Sequence, residues 1–293
     1  MRNLWLILSL ALGFAGLGPA QGQSPVQVPY GQFGNPDRNS AGQPNNLQMT
    51  ADEEAQFLAA LRAIDFPAYF YSGCNDRAHA AYLMLPASLR PKVMKIWLAT
   101  PTAYSPILRG AIGLAQPAAD APPVAWNYHI ALAVRGPNGL RIYDAGLFPG
   151  RLLDRETWLA AMNIPPLTIE VLTHGRVYML SQQNADTYSL NSKVWNGTFY
   201  TYNGSYDTEQ WIERALARDE IGDLAMRGDT CDYLRQLVAR PDDMQTFLRG
   251  FEPGSDPPVA ANADNVRACR ESIDRYNAAQ RRWAERIPEQ SWD

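Results

Sequence analysis

Between Thr50 and Ile64 the chain reads TADEEAQFLAALRAI, and Phe57, Leu58, Leu61 and Ile64 recur at helical spacing. Thr50 and Glu53 make a capping-box pattern, and acids fill the first turn, so the spacing predicts a helix that begins the ordered chain. In FYSGCNDRAHAAYLML, Gly73 breaks the preceding segment and predicts a helix over Cys74–Leu85, stopped by Pro86. VMKIWLAT, Val93 to Thr100, reads as a strand, and residues 101–123 as a loop rich in Pro, Gly and Ala. AWNYHIALAV and LRIYDAGLF flank RGPNG, which predicts a β-hairpin. LLDRETWLAAM is a short helix, and LTIEVLTHGRVYMLS reads as a second hairpin turning at His174-Gly175. NGTFYTYNGSY is expected as an exposed loop, and from about Asp207 the pattern is helical to Arg286.

These elements predict an α+β fold, with a cysteine-bearing helix packed on an antiparallel sheet and a helical C-terminal part. Residues 50–205 carry the sheet and residues 206–293 the helices. Residues 23–49, rich in Pro, Gly, Asn and Gln, lack apolar periodicity and read as a flexible linker or short pro-region. Residues 1–22 read as a signal peptide: Arg2, then an apolar run from Leu4 to Leu17, then small residues that set cleavage near Ala20 or Gly22. No other stretch is long and apolar enough to cross a bilayer, so the mature protein is expected to be exported and off the membrane.

Composition narrows the function. The net charge of -4 across 293 residues offers no basic footprint for nucleic acid. No Cys/His spacing of a zinc site occurs, and no metal or cofactor is expected. The chain has three cysteines, and export would oxidise any that can pair. Cys231 and Cys269 both lie in the helical C-terminal third and are the natural pair by position, which leaves Cys74 free. The sequence by itself leaves open a disulfide to Cys74.

A reactive cysteine works as its thiolate, which a helix start favours, and it needs a base that a third group orients. The histidines are His79, His129 and His174. His79 lies five residues after Cys74, ~140° around the helix, and so on another face. His129 is in the first hairpin strand. A turn centred between Pro137 and Asn138 places Gly136 opposite Gly139 and Ala131 opposite Asp144. His129 then shares a face with Asp144, within diagonal side-chain reach.

Cysteine, histidine and acid in this chain order, in GCNDRAHA, WNYHIAL and RIYDAGLF, resemble the bacterial protein-glutamine glutaminases. The likeness runs from about Ser72 to Phe148. It implies a papain/transglutaminase-like core over residues 50–205, with Cys74 as nucleophile, His129 as base and Asp144 as its orienting acid. The implied reaction deamidates accessible glutamines of a protein or peptide substrate. In that family Pro commonly follows the acid, where this chain has Ala145. Transglutamination or proteolysis on the same three residues is the first alternative, and a non-catalytic secreted binding protein the second.

Each residue also has a plainer reading. Cys74 can be structural, His129 a core histidine and Asp144 a turn cap. Arg77 is expected in a structural ion pair, His79 as a ring packed behind the helix and bonded to backbone, and His174 at the surface. Gly73 supplies the break before the helix. Trp126 and Tyr128, two apart, are expected on one face, either as core or as a wall of the cleft.

Overall fold

The computed structural model describes residues 24–27, 47–104, 109–116, 123–180, 188–189, 194–195, 199–201, 208–251 and 263–287. The expected signal peptide lies outside them. The strands are β1 (Val26–Gln27), β2 (Val93–Ala99), β3 (Gly113–Leu114), β4 (Tyr128–Gly136), β5 (Gly139–Tyr143), β6 (Leu153–Asp154), β7 (Met162–Asn163), β8 (Ile169–His174), β9 (Val177–Leu180), β10 (Tyr188–Ser189), β11 (Val194–Trp195) and β12 (Phe199–Thr201). The helices are α1 (Ala51–Ile64), α2 (Cys74–Met84), α3 (Pro101–Tyr104), α4 (Arg155–Ala160), α5 (Thr208–Met226), α6 (Asp232–Leu237), α7 (Pro241–Arg249), α8 (Ala263–Ala268) and α9 (Arg270–Arg286).

The main sheet has the order β1-β8-β2-β4-β5-β6 and is antiparallel except for the β1/β8 pair. β2 is buried at every residue because both faces of the sheet are covered. Its odd members Val93 and Trp97 join Phe57, Ala81 and Leu216 in one cluster, while Met94, Ile96 and Leu98 meet Trp158 and Ile164 in another. The hydrophobic pattern of such a strand runs without alternation, as it does in VMKIWLA. α1 forms as its caps predict: Thr50 accepts from the N–H of Glu53, and Glu53 returns a bond to the N–H of Thr50.

Four expectations change. Val26–Gln27 pairs with β8, and Leu47 and Met49 are buried, so parts of the stretch read as a linker belong to the fold. The chain around Gly175 is no hairpin. β8 pairs with β2 and β1, while β9 leaves the sheet to pair with β12 and to pack against α2. The N–H of Gly175 is held by the carbonyl of Val93, which turns the chain away. His174 is partly buried against the Tyr82 ring, at 6.1 Å, rather than standing at the surface. Within the two segments read as loops, Pro101–Tyr104 is helical and Phe199–Thr201 is a strand.

The C-terminal helices do not form a separate layer with its own core. Ile212, Leu216 and Ile221 of α5 pack in the same cluster as Leu61 of α1 and Ala81 of α2. Tyr69 donates its hydroxyl to the carbonyl of Val238 at 2.7 Å, fastening the segment before the cysteine to the helices. Cys231 and Cys269 form a disulfide that ties the start of α6 to the start of α9 across 38 residues.

Candidate active site

The site begins with a backbone requirement. Gly73, the N-cap of α2, has φ +74°, a conformation side chains disfavour. A Cβ there would also lie 2.2 Å from the Asp219 carboxylate. Glycine therefore releases the chain straight into α2, and Cys74 is its first residue. The first bond of the helix ladder runs from the N–H of Arg77 to the carbonyl of Gly73, so the three preceding N–H groups lie outside that ladder. Cys74 is the free cysteine among the described residues and is half-buried.

The hairpin supplies the second part. Gly136 pairs with Gly139 and Leu132 with Tyr143, the register read from the sequence. His129 Nε2 lies 2.6 Å from Asp144 Oδ2. The same oxygen accepts from Trp158 Nε1 at 2.8 Å, and Oδ1 accepts from the N–H groups of Gly146 and Leu147, each at 3.1 Å. Asp144 is thus a fully occupied acceptor, and Nε2 of His129 is the donor in their bond. A proline at Ala145 would remove neither of the two backbone donors, which belong to the next residues.

His129 stacks with two indoles, Trp126 at 4.6 Å and 13° and Trp158 at 5.9 Å and 26°. Indole faces attract a cation, so these stacks favour the charged form of the ring. Burial alone would lower the pKa of His129. The charge and hydrogen bond of Asp144, followed by the nearby Cys74, outweigh it and push His129 up to about 10. Burial likewise acts to raise Asp144, but the His129 charge and the hydrogen bonds from His129, Trp158 and Leu147 hold it below the usual carboxylate range. Nδ1 of His129 is buried without a hydrogen-bond partner among the described residues. Cys74 and Asp144 line one cavity of about 10 Å³, close to the size of a single water site.

Cys74, His129 and Asp144 therefore come together. Trp126 and Tyr128 do not share a face: Trp126 belongs to the cluster with Trp158, and Tyr128 packs against the opposite one. The chain bends at Asn127, which breaks the alternation. Trp126 stacks on His129 and donates to the carbonyl of Phe70 at 3.0 Å. Tyr128 is pushed well above its usual range by burial and then by the charges of Cys74 and Asp76. Arg77 is in a buried ion pair, with Asp219. His79 is packed behind the helix, but its Nδ1 meets a side chain, Lys95 Nζ, at 2.8 Å, instead of backbone. Among the described residues no three His, Cys, Asp or Glu side chains gather as a metal site.

Sequence reasoning missed several neighbours. Trp158 sits in a short helix whose pattern says only that it is buried. Asp76 accepts from Tyr178, and burial raises its pKa against the charge of Arg218. Lys95 is fully buried on β2. Asp219 carried a readable signal: with Ile212 and Leu216 it falls on the i, i+4, i+7 stripe of α5 that faces the core. A carboxylate on such a stripe needs a buried cation.

The family model described as Glutaminase matches residues 51–162, the span that holds Cys74, His129 and Asp144. Among solved structures, the chain is similar to the NMR structure of protein-glutaminase from Chryseobacterium proteolyticum. The two are 17% identical, with a TM-score of 0.35, over 54% of this chain and 82% of that one. No curated protein matches the sequence.

Proposed function

We propose that this chain is an exported thiol amidohydrolase that converts glutamine side chains of proteins or peptides to glutamate. The observation that carries the reading is the 2.6 Å bond between His129 Nε2 and Asp144, which leaves Nδ1 to serve Cys74 at the start of α2. The match of residues 51–162 to glutaminases supports the choice of substrate class. On this reading the cysteine helix and the sheet form a papain/transglutaminase-like core.

His129 and Cys74 work as an imidazolium–thiolate pair. The thiolate attacks the carboxamide carbon, and the C=O electrons move to oxygen. N–H groups in the first turn of α2 face the developing oxyanion, where fixed donors lower the barrier most. His129 gives its Nδ1 proton to the departing nitrogen, the C–N bond breaks, and ammonia leaves a thioester. Water then loses a proton to His129 and attacks the thioester. The C–S bond breaks, glutamate forms, and the thiolate–imidazolium pair is restored. Asp144 holds the ring orientation and stabilises its charge throughout.

The disulfide between Cys231 and Cys269 supports export to an oxidising compartment. The test is incubation of the mature protein with a glutamine-rich protein. Ammonia release with the mass gain of amide-to-acid conversion is expected from the native chain and is absent from Cys74→Ala. Cross-linked or cleaved product without free ammonia would replace this reading with acyl transfer or proteolysis. Undiminished activity of Cys74→Ala would end it.

A further inference from the structure

Helix α5 meets the candidate site in a buried ion pair. Asp219 of α5 has no exposure and Arg77 of α2 has 2%. Asp219 also accepts from Arg218 at 3.0 Å and stands directly under Gly73. Arg77 in turn donates Nη2 to the carbonyl of Ser72 at 2.7 Å. Its guanidinium lies against the backbone of Gly146, where a Cβ would be 2.8 Å from Nη2. Gly146 is in the turn whose N–H groups hold Asp144. One planar cation therefore touches the turn before Cys74, the turn after Asp144 and helix α5.

A buried ion pair stabilises a fold only weakly, because desolvation of both charges offsets their attraction. What it fixes well is geometry, since the guanidinium fork accepts only certain placements of its partners. We infer that Arg77 and Asp219 are positioning residues: α5, through this pair, sets where Cys74 stands relative to His129 and Asp144. The inference rests on the reading of Cys74 as the nucleophile. It extends the machinery beyond residues 51–162 to a helix that shares no strand with the hairpin. Misplacement of reacting groups by about 1 Å costs on the order of 100-fold in rate, so a loosened clamp has a large kinetic signature.

The test compares Asp219→Asn and Arg77→Lys with the native full-length chain. Asp219→Asn removes the charge and keeps the shape. Arg77→Lys keeps the charge and loses the fork. Circular dichroism and an intact Cys231–Cys269 bond establish that each variant is folded. Two readouts follow: kcat and KM for ammonia release, and the rate of Cys74 alkylation by iodoacetamide as a function of pH. The expected result is a fall in kcat of roughly 10- to 100-fold with KM little changed, and an alkylation profile moved to higher pH. Partial rescue by Asp219→Glu supports the clamp. Folded variants with native kcat and a native alkylation profile overturn it. Failure of both variants to fold also overturns it, since the pair is then part of the general core. Should the native chain release no ammonia, the alkylation profiles still decide the clamp, and only the glutaminase reading falls.

Discussion

His79 and His129 are both 2% exposed, and they titrate in opposite directions. His129 faces a carboxylate and is raised; His79 faces Lys95, and burial first and that amine second hold it well below its ordinary value. Equal burial thus says little about a histidine's charge. A carboxylate partner overrides the effect of burial, and an amine partner adds to it. Lys95 is itself driven down by burial against the opposing charge of Asp76, and its Nζ lies 2.8 Å from His79 Nδ1. One side of α2 therefore meets a histidine–carboxylate pair, and the other covers a histidine–amine pair.

The most severe way to break this contrast is Asp144→Asn. It keeps the acceptor shape but takes away the charge that holds His129 protonated. Activity is expected to fall by about 10³–10⁴-fold, with an NMR-measured pKa for His129 that drops toward the behaviour of His79. A persistently raised value would show that the stacked indoles, not Asp144, set the charge.

The two rings also predict opposite limbs of a stability profile. His129 has a folded pKa above its unfolded one of ~6.5, so its contribution is complete below that pH and is lost as pH rises through about 10. His79 has a depressed folded pKa. The unfolded chain then binds the extra proton, and stability is lost as pH falls below ~6.5. Urea midpoints between pH 4 and 10 are expected to show a shallower alkaline limb for His129→Gln and a shallower acid limb for His79→Gln. The same sign in both variants would refute the contrast.

A smaller change sharpens it. Trp158→Phe retains a ring beside His129 but removes one donor to Asp144. The expected loss is about 1–3 kcal/mol of stability, with a modest fall in the His129 pKa. Smaller still in its effect on the two rings is Cys231→Ser with Cys269→Ser. Reopening a loop of 38 residues costs about 3–4 kcal/mol of stability, measurable as a lower urea midpoint, while both histidine pKa values stay where they were.

The hairpin was readable because its information is local. Pro137 and Asn138 set a two-residue turn, and alternation carries the register from there to His129 and Asp144. The start of α2 was equally local, set by Gly73 and ended before Pro86. The failures are all non-local. His174-Gly175 has good turn chemistry, but which edge each flanking strand joins depends on residues far away in the chain. Trp126 and Tyr128 obey alternation only if the strand is regular, and the bend at Asn127 is dictated by the pairing of Trp126 with Ile112. Lys95 sits within an apolar strand, and nothing local announces His79 and the carbonyl of Val177 as its partners.

The carboxylate beneath Gly73 has a consequence for how the molecule can be divided. The glutaminase-matched span ends at residue 162, yet the anion that closes over its cysteine turn arrives from residue 219. A fragment trimmed to the matched span would bury Arg77 with no counter-ion, and would leave Leu61 and Ala81 without the aliphatic side chains of α5. Grafting, shuffling or truncation of this protein must therefore treat the matched span and α5 as one inheritable unit, although α5 lies outside the span that the family model matches.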